Sequence, residues 1–313
     1  MKKTILLIGS NGQIGSELAA SLRAIHGADR VVSSDIRVPE NSSPEIRFEQ
    51  VDVLDKNSLH LLFTKVKPDQ VYLLAAMLSA TGEKHPRKAW DLNMNGLFNV
   101  LDLSLEYGVK QVFWPSSIAV FGPNSPRTNT PQHTIMDPNT VYGISKLAGE
   151  RYCEYYFNKF GLDIRSIRYP GIISWKTPPG GGTTDYAIQI FHDALKNGSY
   201  ESFLSAHTEL PMLYMEDAIR ATLQLMDAPA DQLKIRSSYN LTGVSFTPEV
   251  LAEAIRQKLP DFKISYAKED PRQAIADSWP GSIDDTPARE DWGWKPEFTM
   301  EAMVEDMLKN LKK

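Results

Sequence analysis

An α/β fold built on a doubly wound parallel sheet is the architecture this sequence predicts, and three observations predict it. Short apolar runs alternate with helix-period stretches through the first half of the chain. A glycine loop sits at the first strand-to-helix junction. Residues able to bind or react gather at the carboxyl ends of the predicted strands, where ligands settle in such sheets.

Residues 4–8 read as the first buried strand. The apolar run that follows Lys2 and Lys3 stops at Gly9, much too short for a signal or membrane segment. Residues 30–34, 47–51, 70–74, 111–114 and 164–168 supply five more strands. Between them, residues 13–24, 58–65, 86–107 and about 140–160 carry helical patterns. After about residue 170 the pattern is less regular. Residues 178–184 form a Pro/Gly-rich loop, residues 185–196, 215–226 and 248–258 look helical, residues 271–296 are dense in proline, tryptophan and acid, and residues 300–311 close the chain as an amphipathic helix. We therefore expect a dinucleotide-binding domain over 1–170 and a smaller substrate-binding lobe over 171–313, some of whose segments return to the core. No internal repeat is visible.

Composition narrows the function classes. A chain of 313 residues has ample length for a core, and 42% hydrophobic with 23% charged residues is ordinary for a globular protein. The formal net charge of -5 provides no basic field to gather nucleic acid. Cys153 is the single cysteine, which excludes an intramolecular disulfide and a cysteine-rich zinc site. A cytoplasmic protein with no metal and no membrane partner is expected. Cys153 itself reads as an inert core thiol.

Gly9, Gly12 and Gly15 have the context that turns a glycine pattern into a phosphate site: tight turn, close backbone approach, and close helix–strand packing. Asn11, Gln13 and Ile14 complete the loop. Asp35 ends the second strand, where a carboxylate accepts from ribose hydroxyls and repels a 2′-phosphate, so NAD is favoured over NADP. With Ile36, Arg37 lies beside it, and an arginine there could stack on adenine or bind a 2′-phosphate. Asp52 and Val53 suit the adenine edge, although a lone aspartate there equally suits a helix cap. Leu74, Ala75 and Ala76, with Tyr169 and Ile172, fall at strand ends facing the same place.

Tyr142 and Lys146 are spaced to share one face of a helix, one turn apart. A phenol with a pKa near ~10 needs nearby positive charge to act as a base near neutrality, and Lys146 could supply it. Ser117, chosen over Ser116, could hydrogen-bond a reacting alcohol or ketone. Taken in order, the glycine loop, Asp35, residues 74–76, Asn93 to Gly96, Ser117 before Val120-Phe121-Gly122, and the Tyr142–Lys146 pair resemble the extended short-chain dehydrogenase/reductase family. The resemblance covers essentially the whole chain and implies a Rossmann-type sheet. It further implies hydride transfer between a nicotinamide and a secondary alcohol or ketone, with Tyr142 as acid/base, Lys146 lowering its pKa and holding the ribose, Ser117 orienting the substrate oxygen, and Asn93 bracing the helix.

The substrate-facing stretches 76–83, 168–173, 179–187 and 276–285 are similar to those of short-chain, zinc-independent, NAD-dependent L-threonine 3-dehydrogenases. That likeness implies that Ser79, Gly180, Thr183, Thr184 and Asp185 lie near an amino-acid substrate and that Trp279 belongs to a loop closing over it. Chemically, hydroxyls and a carboxylate suit a zwitterion. The same hydroxyls and acid could simply cap the following helix. Trp279 and Trp175 could wall a methyl group or only pack. Two other functions compete. A nucleotide-sugar 4-epimerase or 4,6-dehydratase shares the motifs through Lys146, but Ile118 and Ala119 follow Ser117 where dehydratases carry acids, and Tyr169 leads into Pro170 rather than an asparagine. A non-catalytic NAD-sensing regulator would usually lack Tyr142 or Lys146. Apolar residues on 86–107 and 140–160 fit a homodimer or single-chain burial.

Overall fold

Strand β1 (Ile5–Ile8) is buried along its whole length, since a central parallel strand carries helices on both faces. Alternation sorts its side chains into two layers. Ile5 and Leu7 pack with Leu18, Ala19 and Leu22 of α1 (Gln13–His26), whereas Leu6 and Ile8 join the opposite layer. The computed structural model describes residues 3–39 and 45–312, so Lys2 lies outside the described residues.

The first half continues with β2 (Val31–Asp35), β3 (Phe48–Gln50), α2 (Lys56–Val66), β4 (Gln70–Leu73), α3 (Ser79–Lys84), α4 (Pro86–Trp90), α5 (Gly96–Glu106), β5 (Gln111–Phe113), β6 (Ser116–Ser117), α6 (Val141–Phe160), β7 (Asp163–Arg165) and β8 (Ile167–Tyr169). The second half adds β9 (Gly171–Ile173), α7 (Tyr186–Asn197), β10 (Ser199–Ser202), β11 (Leu210–Tyr214), α8 (Met215–Asp227), β12 (Tyr239–Asn240), β13 (Val244–Phe246), α9 (Pro248–Arg256), β14 (Lys263–Tyr266), α10 (Pro271–Asp277), α11 (Thr286–Trp292) and α12 (Met300–Leu311). Six strands pair in parallel in the order β3-β2-β1-β4-β5-β7. This is the doubly wound order, and its direction reverses between β1 and β4, directly after which Gly9 and Leu74 stand.

Three cores hold the chain. One layer packs β1, β4 and β5 against α2, α5 and Cys153 of α6; the other packs the sheet against α1 and α8. Thus α8, from the second half, lies on the central sheet beside α1. The third core joins α7, α9 and α12 with Tyr142, Trp279 and two small sheets, β13-β11-β9 and β10-β14, while a third small sheet, β12-β8-β6, packs with α1 and α8. No helix among the described residues is long and apolar enough to cross a membrane.

Some elements differ from the sequence expectation. The expected strand 164–168 divides at Ser166, whose carbonyl accepts from Tyr239 N and whose hydroxyl meets Ser238, so β7 stays with β5 while β8 turns to β6 and β12. The expected helix 86–107 contains a wide π turn at Asp91–Asn95. Asn93 lies in that turn, which is the kind of helix distortion that accompanies functional positions. The segment 271–296, where the sequence shows no regular pattern, holds two short helices, each begun with proline in its first turn, where no amide donor is missed.

Candidate active site

The glycine loop needs its glycines for different reasons. A Cβ on Gly9, which has a φ of +87°, would lie 2.5 Å from Ala75 N, and one on Gly15 would lie 2.3 Å from the Gly9 carbonyl oxygen. Both are demanded by the fold. A Cβ on Gly12 would meet nothing closer than 3.5 Å, yet Gly12 lines the cavities on both sides of the loop. Protein packing does not explain that glycine; close approach of a ligand does. The α1 N-terminus has no side-chain cap at Gly12, and the Ser10 hydroxyl and Gln13 side-chain amide are buried without partners. Together these donors fit a pyrophosphate.

Two cavities meet across the loop. The first, about 320 Å³, is walled by Gly9, Gly12, Asp35, Ile36, Arg37, Asp52, Val53, Leu74, Ala75 and Ala76, together with Ile8, Val51 and Leu92. Asp35 accepts from Asn11 N (3.0 Å) and Arg37 N (3.2 Å), which fixes the carboxylate at the end of β2. Asp52 faces the cavity while its carboxylate closes a turn on Leu54 N, and the cap of α2 is Asp55. An adenosine would lie here.

The second cavity, about 240 Å³, is bounded by Gly12, Gln13, Ile14, Gly15, Ser79, Ser117, Tyr142, Lys146, Tyr169, Ile172, Thr183, Thr184, Asp185 and Trp279. Residues more than a hundred positions apart therefore share one wall, as the strand-end argument requires. Sequence reasoning missed Leu78, Pro115 and Gly171, which also line it and which carry no chemical signal of their own. A larger open groove, about 780 Å³ between α1, α8 and α11, contains none of the residues singled out in the sequence. Among the described residues no group of His, Cys, Asp and Glu is placed to hold a metal.

Helix α6 brings Tyr142 and Lys146 to the cavity on one face, as their spacing predicts. Thr140 caps this helix through Gly143 N. Gly143 allows the helix to approach the Ala119 carbonyl, so Tyr142 reaches the Ser117 hydroxyl. Burial pushes the Tyr142 phenol up to about 12, opposed by the Ser117 hydrogen bond. The lysine ammonium donates to the Pro115 carbonyl (2.5 Å) and lies 4.4 Å from the centre of the Trp114 ring, but 5.7 Å from that of Tyr142. Burial brings Lys146 itself down to about 7, with Cys153 and Glu150 opposing. Both groups are thus held toward their neutral forms.

Three predicted residues stand off the cavity walls. Asn11 sits behind the loop, bonding Asp35 and the Arg37 carbonyl. Asn93 accepts from Met77 N (2.8 Å) and donates to Met77 O and to Ser145, whose hydroxyl donates to the Tyr142 carbonyl. It ties the segment after β4 to α6. Gly180 is exposed on the outside of its loop. Trp175 packs on the third core, away from the cavity.

At the far end the Thr183 and Ser79 hydroxyls are 3.2 Å apart and buried. Asp185 uses one carboxylate oxygen to accept from Gly181 N (2.7 Å) and Gly182 N (2.8 Å), so it organises the glycine turn as well as facing the cavity. Burial raises its pKa, and the loop amides oppose that rise. The Tyr169 phenol points away, to Thr222, so only its ring and backbone line the cavity.

Comparison with known proteins follows the same lines. The model of the NAD dependent epimerase/dehydratase family matches residues 5–241. A Staphylococcus saprophyticus protein, known as an uncharacterized epimerase/dehydratase, is 49% identical over 308 residues, covering 98% of this chain and 96% of the relative. Among solved structures, the holo form of a GalE-like L-threonine dehydrogenase from Cupriavidus necator is 55% identical, with a TM-score of 0.96 over 98% of this chain and 99% of that one. A monomeric L-threonine 3-dehydrogenase from a metagenome, in its apo form, is 49% identical with a TM-score of 0.96 over 99% of both chains. By family match, sequence identity and strand order together, this chain belongs to the NAD dependent epimerase/dehydratase family, within the extended short-chain dehydrogenase/reductases.

Proposed function

We propose that this protein oxidises L-threonine at its 3-hydroxyl with NAD, giving 2-amino-3-oxobutanoate. The observation that carries the reading is the far end of the second cavity. There the Ser79–Thr183 hydroxyl pair, Thr184 and Trp279 close one end of the cavity of about 240 Å³ that Ser117 and Tyr142 also line. Such a space suits an amino acid next to a nicotinamide, and its hydroxyls suit a carboxylate. The 55% identity with the Cupriavidus necator enzyme supports the same substrate.

Bound NAD supplies an acceptor for the Cβ hydrogen with its electron pair. The loop Gly9 to Gly15 would hold its pyrophosphate, Asp35 its adenosine ribose, and Lys146 the nicotinamide ribose. Tyr142, once ionised to the phenolate, accepts the hydroxyl proton as the Cβ–H bond breaks and the C=O bond forms. Ser117 donates to the oxygen throughout. A phenol at about 12 is a poor base near neutrality, so turnover should rise as pH increases above 7.

The test is direct: incubate with NAD and L-threonine and follow the reduced nicotinamide, comparing L-serine, simple secondary alcohols and a UDP-hexose. Turnover of the UDP-hexose without threonine would replace this reading with the sugar-nucleotide one. Buried, non-ionisable Ile118 and Ala119 beside Ser117 argue against a dehydratase. No change with any substrate would favour an NAD sensor.

We further propose that the protein works in the cytoplasm as a homodimer. Trp90, Ile144, Tyr152, Tyr155 and Phe160 are large exposed side chains on α4 and α6, the helices whose apolar content exceeded the needs of one sheet face. Light scattering at two concentrations tests it, and Tyr155→Asp should yield a monomer.

A further inference from the structure

A buried polar chain runs behind the cavity and reaches its wall at Ser116. Glu150 and Arg168 are fully buried and form a two-armed ion pair, with Arg168 Nε to Glu150 Oε1 and Nη2 to Oε2 both at 2.8 Å. Ser116 donates to the same Glu150 oxygen at 2.6 Å. The remaining arm of Arg168 donates to Asn240 Oδ1 and to the Gln132 carbonyl, each at 3.0 Å. Asn240 then donates through its amide nitrogen to the carbonyls of Thr130 (3.2 Å) and Asp284 (3.1 Å). Every polar arm is used.

Three members of this chain lie close in sequence to cavity residues. Ser116 precedes Ser117, Glu150 lies one helical turn beyond Lys146, and Arg168 precedes Tyr169. The far end fastens the segment that carries Trp279. Asp284 N donates to Thr130 O (3.0 Å), Thr130 N to Ser282 O (3.0 Å), and Gly281 N to Arg127 O (2.8 Å). Asn240 occupies the junction because only a primary amide combines one acceptor for a guanidinium with two donors for two carbonyls at this length. An aspartate could not donate, and a hydroxyl could not reach three partners.

We propose that Asn240, with Arg168 and Glu150, is a positioning residue that couples the seating of the Trp279 segment over the cavity to the alignment of Ser117 and Lys146. The coupling travels through side chains that are buried and fully paired, so a displacement at one end cannot be absorbed by water. It rests on the dehydrogenase reading for its kinetic consequence, but not for its structural one.

The experiment uses the full chain and the variant Asn240→Ser, which removes the bridge without adding charge. Hydrogen exchange of the ligand-free protein should quicken in residues 276–285 and also in residues 115–118. Turnover with NAD and L-threonine should fall roughly tenfold, while the Michaelis constant for NAD stays within about twofold. Quickening confined to 276–285, or unaltered turnover, overturns the coupling. Arg168→Lys reads the chain from its other end: it keeps a cation beside Glu150 and loses the fork, and its effect must reach residues 276–285. No effect there also overturns the proposal. If the wild type leaves threonine untouched, the threonine reading fails, whereas the exchange measurements still decide the coupling because they need no substrate.

Discussion

The two cavities are built in opposite ways. At the dinucleotide end, neighbouring strand ends do nearly all the shaping: Gly9 and Gly12 follow β1, Asp35 to Arg37 end β2, Val51 to Val53 follow β3, and Leu74 to Ala76 follow β4. At the substrate end, no two adjacent elements suffice. Ser79 from the start of α3, Thr183 from a loop 104 positions on, and Trp279 from after α10 must all arrive together. Local geometry makes the first end robust and independent of its ligand's far half. Long-range assembly makes the second end specific, and dependent on every element that delivers a group. Between them lies the Tyr142–Lys146 pair, which is where the contrast is tested most strongly.

Tyr142→Phe should have the largest effect. It keeps the ring packing and removes the hydroxyl, so turnover should drop by roughly two to four orders of magnitude while NAD affinity is retained. Isothermal titration beside a steady-state assay separates the two quantities. Retained turnover would move the chemistry away from α6.

The glycine loop provides the next test. Gly12→Ala places a Cβ where the protein leaves room but a pyrophosphate would not, so NAD affinity should weaken at least about tenfold with the melting temperature of the free protein nearly unchanged. Gly15→Ala drives a Cβ to 2.3 Å from the Gly9 carbonyl oxygen, so the free protein itself should lose roughly 2 kcal/mol or more. The two variants should therefore separate ligand demand from fold demand. Equal destabilisation in both would erase the distinction.

A smaller effect is expected at the other end. Thr183→Val keeps the shape and deletes the hydroxyl that faces Ser79, so the Michaelis constant for L-threonine should rise about tenfold while that for NAD is unaffected. A rise in both constants would mean that Thr183 shapes the whole cavity instead.

How much of this was legible follows the same divide. The parallel doubly wound sheet, the glycine loop and the face shared by Tyr142 and Lys146 follow from rules acting over a few residues, and they were readable. Twenty-three of the expected site residues line the two cavities; Asn11, Asn93 and Gly180 stand off them. The resemblance implied that Asn93 braces α6, but its partners Met77 and Ser145 could not be read, since Asn93 sits in a π turn, which no periodicity announces. The Glu150–Arg168 pair was hidden for another reason: a glutamate within a helix reads as surface until its partner is seen 18 residues away on β8. The strand break at Ser166 depends likewise on Ser238 and Tyr239, far along the chain. What sequence reasoning lost was consistently tertiary: the pairing of polar groups, and the burial that sets the charge state of Lys146.

That charge state gives the last and smallest prediction. Lys146 ordinarily holds its proton up to a pKa of 10.5, but burial in the folded protein brings it down to about 7. Below pH 7 the folded chain carries a buried ammonium and bears its full desolvation cost. Between 7 and 10.5 the unfolded chain binds a proton that the folded chain does not, so the wild type gains stability as pH rises through this window and loses it as pH falls through 7. Lys146→Met removes the titration, though it also leaves the Pro115 carbonyl without its donor, so the absolute melting temperature is a poor guide. The difference between wild type and variant is the better measure. It should shift in favour of the variant by at least about 3 °C on going from pH 9 to pH 6, in the absence of ligand. A difference that stays constant over this range would show that the ammonium is already charged and paired in the free protein, and that Tyr142 has its positive neighbour before any dinucleotide arrives.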